Sequence, residues 1–163
     1  MQNHREESIA KIKELTEGID ICMLTTMDGG YLRSRPMSTQ KFEFDGDLWF
    51  LTSEDTHKIE EIEKDGRVNV AYSKPDDNTY LSLSGTAGML KDRAKIKEFW
   101  NPVMKAWFPE GEDDPKLCLL KVSVEKAEYW DAPSSTIIQL FNMAKAIATG
   151  TEADYGENKK ISL

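Results

Sequence analysis

Hydrophobic and polar positions change their period along this chain in a readable order. In "SIAKIKELTEGID" the residues Ile9, Ile12 and Leu15 recur at helical spacing, and Gly18 follows as a C-terminal stop. "DICMLTTM" reads as a largely apolar strand, and "DGG" at 28–30 is a hairpin turn signal. "YLRSRPMSTQKFEF" continues as a long strand, broken or bulged at Pro36, before "DGD" turns the chain into "LWFLT". Residues 19–52 are therefore expected to form three strands in a meander. "IEEIEKDG" predicts a short helix. "RVNVAYSK" and "TYLSLSGTAGML" then alternate cleanly on either side of the turn "PDDN".

The second half repeats the theme with longer pieces. "DRAKIKEFW" is helical and "FPEGEDDP" is loop-like. "LCLLKVSVEKAEYWD" is a sixth strand with Leu120, Val122 and Val124 on one face. "SSTIIQLFNMAKAIA" predicts a C-terminal helix, and the polar tail from Gly150 is expected to be loose. No repeat, low-complexity segment or linker interrupts the pattern, so residues 1–150 are expected to form a single domain and 151–163 a flexible tail. Six antiparallel strands with helices at the joints suggest a small closed barrel, because closure removes sheet edges. An open α+β sheet is the alternative.

Composition narrows the function classes. The 163 residues carry a net charge of −8, which argues against nucleic acid or an anionic membrane as the main partner. No apolar run approaches the roughly 20 residues that span a bilayer. The N-terminal "MQNHREESIAKIKEL" is charged and lacks the apolar core of a signal peptide. Cys22 and Cys118 lie inside apolar runs without a CxxC partner, which favours buried free thiols and a cytoplasmic setting. His4 and His57 stand too far apart in sequence to suggest a zinc site.

The candidate chemistry lies in "FLTSEDTHK", residues 50–58, where an apolar run stops at a helix start. A helix N-terminus presents unpaired backbone N–H groups and about half a positive charge, so it can hold a phosphate. Here Thr52, Ser53 and Thr56 supply hydroxyls, and His57 and Lys58 supply donors. The plain alternative is that Ser53 or Asp55 caps the helix and Lys58 is solvated. The preceding strand brings Arg33, Arg35 and Lys41, a basic cluster in an acidic chain. Alternation puts Arg33 and Arg35 on one face, where an anionic ligand would relieve their repulsion. Pairing with a carboxylate such as Glu43 or Asp47 would do the same.

The ordered set "CMLTT", "RSRPM", "DLWFLTSEDTHKIEEIEKDGRVNVAY", "YLSLSGTA" and "AEYWD" resembles the flavin-binding split barrels related to pyridoxamine 5'-phosphate oxidase. Within them it is most similar to the bacterial general stress protein branch. The resemblance runs from about residue 8 to about residue 132. It implies a mainly β (α+β) fold, a six-stranded antiparallel split β-barrel with flanking helices. It also implies a homodimer with FMN in the cleft between the chains. In that pattern the arginine-bearing strand beside the flavin falls on Arg33, Arg35, Pro36 and Met37. Leu51 and Thr52 line the ring and ribityl chain. A Ser-Arg-Lys-like phosphate triplet is matched by Thr56, His57 and Lys58, with histidine departing from the pattern. A further flavin-touching strand position falls near Tyr80 or Ser82.

Substrate is where the resemblance thins. The oxidase carries C-terminal arginine and histidine for pyridoxine phosphate. This chain has no arginine beyond Arg93 and no histidine beyond His57, which argues against vitamin B6 oxidation. Trp100, Trp107 and Trp130 suit core or interface packing, and Trp107 is the preferred flavin neighbour because it sits in a loop-like stretch. Heme is disfavoured by the scarcity of histidine, while FAD or a deazaflavin would suit the same site as FMN. The expected function is a flavin-dependent oxidoreductase linked to stress, and the alternative is a non-catalytic flavin-binding or flavin-sequestering stress protein.

Overall fold

The computed structural model describes residues 2–39, 44–132, 136–153 and 156–163. Its elements are, in order, α1 (Gln2–Thr16), β1 (Ile21–Asp28), β2 (Tyr31–Ser38), β3 (Asp47–Ser53) and α2 (His57–Lys64). There follow β4 (Arg67–Lys74), β5 (Thr79–Leu90), α3 (Arg93–Phe99), β6 (Leu117–Asp131), α4 (Thr136–Thr149) and β7 (Glu157–Ser162). The strands form one antiparallel sheet in the order β2-β1-β4-β5-β6-β3, with β7 also paired to β6. The sheet curls into a split barrel. The long strands β5 and β6 change register at Ser84/Gly85, where a side chain on Gly85 would run into the Ser123 carbonyl.

Alternation explains the core. Cys22, Leu24, Val68, Val70, Tyr72, Leu81, Leu83, Leu120 and Val122 point inward from successive strands, and Ile12 and Leu15 of α1 close one end. Cys22 and Cys118 are buried free thiols. A second apolar cluster joins Leu51 to Ile96, Phe99, Met104, Leu117 and Leu119 beneath α3. β3 is consequently buried on both faces, with Phe50 in the main core and Leu51 in the second cluster.

Three local expectations change. The 19–52 segment is not a meander: β1 and β2 form a hairpin, but β3 pairs with β6, from Asp47 opposite Ser123 to Ser53 opposite Leu117. The Asp45-Gly46-Asp47 turn reverses the chain without specifying a partner, and the Gly46 carbonyl accepts from the Val124 amide, which commits β3 to β6. Pro36 neither breaks nor bulges β2, which pairs with β1 in unbroken register. β2 is an edge strand, where a missing N–H leaves no neighbour unpaired. The tail expected to be loose contains β7, whose six residues pair with Lys126–Asp131. Lys41 and Glu43 lie outside the described residues.

Candidate functional site

α2 is the element that gathers the charged side chains. It connects β3 to β4 and lies against β1 and β5. Ile59 and Ile62 anchor it in the core, a spacing of three that puts both on one face. Glu61 stands between them and is buried with them, at 6% exposure.

A carboxylate there needs partners, and the β1–β2 hairpin supplies them. Arg35 Nη2 donates to Glu61 Oε2 at 2.5 Å and Arg35 Nη1 to Thr26 Oγ1 at 2.7 Å. Thr26 in turn donates to Glu61 Oε2 at 2.5 Å, and Arg33 Nη1 donates to Glu61 Oε1 at 3.0 Å. Arg33 also lies 3.6 Å from Asp28. Burial alone would push the Glu61 carboxyl up. The Thr26 hydrogen bond and the two guanidiniums outweigh it and hold the group below the ordinary carboxylate range. The two arginines share a face as alternation predicts, but their repulsion is relieved by Glu61 and needs no ligand. Of the two carboxylates suggested by the sequence, Glu43 lies outside the described residues. Asp47 pairs with Lys121 instead.

The helix start is built differently from a simple cap. Thr56 is the N-cap residue, yet its side chain makes no capping bond and donates to the Ser53 carbonyl at 2.9 Å. Ser53 donates to Asp55 at 2.6 Å, and Asp55 is held by Lys116 at 2.8 Å, so neither caps α2. The amides of His57 and Lys58, at the first turn, have no intrahelical acceptor. Lys58 is half-buried and, among the described residues, has no hydrogen-bond or ion-pair partner. Burial, then the nearby Arg35 charge, lowers its pKa from the ordinary lysine value, with Glu61 and Cys118 opposing. Cys118 is pushed up to about 11 by burial and faces inward opposite the buried Thr52. A half-buried cation, first-turn amides without an intrahelical acceptor and a helix dipole are together an arrangement that can hold an anion.

The other sequence candidates divide between places. His57 is 83% exposed beside Lys58, with Glu60 at 3.9 Å. Met37 is buried in the main core, while Pro36 lies exposed on the opposite face of β2. Leu51 is committed to the second cluster and faces away from Thr52. Tyr80 and Ser82 lie on the outer face of the sheet, and Trp130 is the register partner of Tyr80. Trp107 follows a 3-10 turn (Pro102–Ala106) and is 69% exposed, whereas Trp100 packs on Phe108. One chain thus brings together Arg33, Arg35, Thr56, His57 and Lys58 around α2, but not Tyr80 or Leu51. Glu61 is the organising residue that the sequence alone does not single out. Its one signal is placement beside an apolar stripe, three residues from Lys58 and downstream of two arginines that want a counter-charge.

The curled antiparallel sheet with helices at its joints defines the class of split β-barrels. Comparison with known proteins places the chain within it: residues 7–154 match the family model "Pyridoxamine 5'-phosphate oxidase like", and the chain belongs to that family. General stress protein 26 of Bacillus subtilis is 28% identical over 135 residues, covering 80% of this chain and 93% of its own. A crystal structure assigned to general stress protein 26 from Jannaschia sp. CCS1 superposes with a TM-score of 0.75 at 28% identity, covering 97% and 99% of the two chains. The general stress FMN/FAD binding protein of Xanthomonas citri matches at a TM-score of 0.65 and 30% identity, over 77% of this chain and 89% of that one. Among the described residues no helix is long and apolar enough to cross a membrane.

Proposed function

We propose that this protein binds a flavin, FMN in the first instance, with its phosphate at the start of α2. The observation that carries the reading is Lys58: a half-buried lysine without a counter-ion among the described residues, beside uncapped first-turn amides. A phosphate there would favour the charged form, against which burial and Arg35 act. The family and the FMN/FAD-binding Xanthomonas relative support the choice of a flavin. Arg35, locked by Glu61 and Thr26, contributes its field from a fixed position, and Thr56 and His57 flank the phosphate. Bound flavin supplies hydride and electron transfer, so the chain's own task is to hold, orient and shield it. We further read the protein as a homodimer with the flavin between chains, acting as a cytoplasmic flavin-dependent oxidoreductase. A carrier or sequestering role is the second reading, because among the described residues no acid–base pair stands beside the cradle other than the structurally committed Glu61 cluster.

Fluorescence titration of FMN and riboflavin against wild type and Lys58→Ala tests the site. The variant should lose about 1.5–3 kcal/mol for FMN, the worth of a charge-assisted hydrogen bond, and nothing for riboflavin. Its FMN binding should also depend less on salt. Equal dissociation constants of wild type for the two flavins would remove the phosphate site from consideration. Anaerobic NADH or NADPH then separates the two roles: bleaching of the bound flavin supports the oxidoreductase, and an unchanged spectrum supports the carrier.

A further inference from the structure

The start of α2 carries a conflict of charge. Two carboxylates, Glu54 and Asp55, stand immediately before the helix whose first turn is the proposed phosphate site. Asp55 precedes the His57 amide by two residues, the spacing at which an aspartate side chain accepts from its own backbone. Acids are also favoured at a helix N-terminus, where a carboxylate takes up the positive potential that a bound anion would use. By its place in the sequence Asp55 is therefore the natural competitor of a phosphate.

Both carboxylates are held elsewhere. Asp55 Oδ1 accepts from the Ser53 hydroxyl at 2.6 Å, and Asp55 Oδ2 accepts from Lys116 Nζ at 2.8 Å. The lysine bond, then the serine bond, hold this carboxyl below the ordinary carboxylate range, so it is charged near neutral pH. Glu54 is paired with Lys91, the residue that follows β5. Lys116 is itself set in place by the sheet. Its carbonyl accepts from the Glu54 amide at 2.9 Å, one step beyond the Ser53–Leu117 pair that ends the β3–β6 ladder. Its amide donates to Asp114 Oδ1 at 2.9 Å. Thr56 meanwhile turns its hydroxyl back to the Ser53 carbonyl. Ser53, Asp55 and Thr56 are thus all directed away from the amides that such residues ordinarily cap.

We propose that Lys116 is a positioning residue for the anion site. By holding Asp55 against Ser53 it keeps the chain's own carboxylate off the start of α2 and leaves the first-turn amides open to a phosphate. The inference rests on the phosphate reading of α2 and adds what keeps that site open. Lys116 does this through Asp55. Its side chain is 60% exposed and its ammonium is already neutralised by the carboxylate, so little of its own field reaches the helix. An exposed pair of this kind also contributes little to the fold. What it decides is where the carboxylate lies. Without Lys116, a charged aspartate stands two residues from an amide that lacks an acceptor, and the helix dipole draws it in.

Wild type, Lys116→Ala, Asp55→Ala and the double variant, each titrated with FMN and riboflavin by fluorescence, test it. Lys116→Ala should weaken FMN about fivefold to tenfold, the effect of a helix cap turned against the ligand, and leave riboflavin unchanged. The double variant should bind FMN as Asp55→Ala does, within about twofold. Lys116→Arg, which keeps a cation for Asp55, should bind as wild type does. A double variant as weak as Lys116→Ala would mean that the lysine acts on the phosphate directly, and it overturns the proposal. So does wild-type affinity in Lys116→Ala. The flavin-free chain gives an independent reading. Solvent exchange of the His57 and Lys58 amides, followed by NMR, should slow about fivefold in Lys116→Ala and recover in the double variant. Unchanged exchange in Lys116→Ala also overturns the proposal. If wild type binds the two flavins equally, the phosphate reading fails, while amide exchange still decides whether Lys116 holds Asp55 off the helix.

Discussion

α2 and α4 invert the usual relation between hydropathy and burial. Five of the eight residues of α2 are charged, yet Ile59, Glu61 and Ile62 are buried. α4 has one charge in fourteen residues and leaves Phe141 and Ile147 mostly in water. The difference lies in what each helix has beside it. α2 is the bridge from β3 to β4 and cannot avoid the sheet, so two isoleucines suffice to seat it, and the sheet's own arginines neutralise its buried acid. The strands on either side of α4 pair at Asp131 and Glu157, and its own chain covers little of it. Hydropathy states what a helix needs, and topology decides whether the same chain supplies it.

The largest effect should come from removing the group that ties α2 to the hairpin. Glu61→Ala strands Arg35 and Thr26 in a buried site and leaves Arg33 without its closest carboxylate. Breaking one side of such a cluster costs about 3–5 kcal/mol. Urea denaturation of the two proteins measures it, and a loss below 1 kcal/mol would put the cluster in the class of solvated surface pairs. No single residue of α4 should matter as much to the fold of one chain.

Glu61 also sets a pH dependence. Its folded carboxyl lies below the ordinary value of 4.5. A depressed carboxyl contributes stability that is fully present above its unfolded pKa and is lost as pH falls through the folded one. The stability gap between wild type and Glu61→Gln should hold steady from pH 7 to pH 5 and then narrow in more acid solution. A gap that widens in acid would reverse the assignment of charge within the cluster.

How far the sequence reached follows from the same physics. β4 and β5 are legible because a half-buried strand must alternate, and "RVNVAYSK" and "TYLSLSGTAGML" coincide with the observed strands. The family is legible because its motifs are spaced along the chain. The partner of β3 is not, since a turn such as Asp45-Gly46-Asp47 reverses direction without naming a neighbour. β7 is not either: "ENKKIS" is a charged edge strand held by its backbone ladder, by Asn158 and by a single apolar residue, Ile161, too little for periodicity to register. Arg33 and Arg35 are legible as a shared face, but their counter-charge comes from a helix 26 residues further on from Arg35, and long-range pairing leaves no local trace. Lys58 is legible as a cation at a helix start, but its half-burial is not, since the sequence equally allows a solvated side chain.

Lys58 should also show an opposition between stability and binding. A half-buried cation with no partner among the described residues is held against its solvation preference. Lys58→Met keeps the length and apolar stem while removing the charge, so thermal unfolding without flavin should show a gain of about 0.5–1 kcal/mol. The same variant should lose FMN as Lys58→Ala does. A loss of stability would mean that Lys58 serves the fold, and the comparison with the fully partnered Glu61 would fail.

The smallest effect belongs to the residue next door. His57 and Lys58 begin the same helix, and the family pattern assigns both to the phosphate, but the structure treats them unequally. The His57 side chain is 83% exposed, its nearest carboxylate is 3.9 Å away on Glu60, and water screens whatever charge it carries. His57→Ala should therefore leave unfolding unchanged within about 0.5 kcal/mol, the usual range for an exposed surface substitution. Its FMN affinity should fall by less than about 1 kcal/mol, as an exposed, screened pair allows. That is well under the loss expected of Lys58→Ala in a parallel titration. If His57→Ala instead costs as much as Lys58→Ala, the phosphate must draw the imidazole out of solvent on binding. The cradle would then be assembled by its ligand, and its resting geometry would understate what α2 can hold.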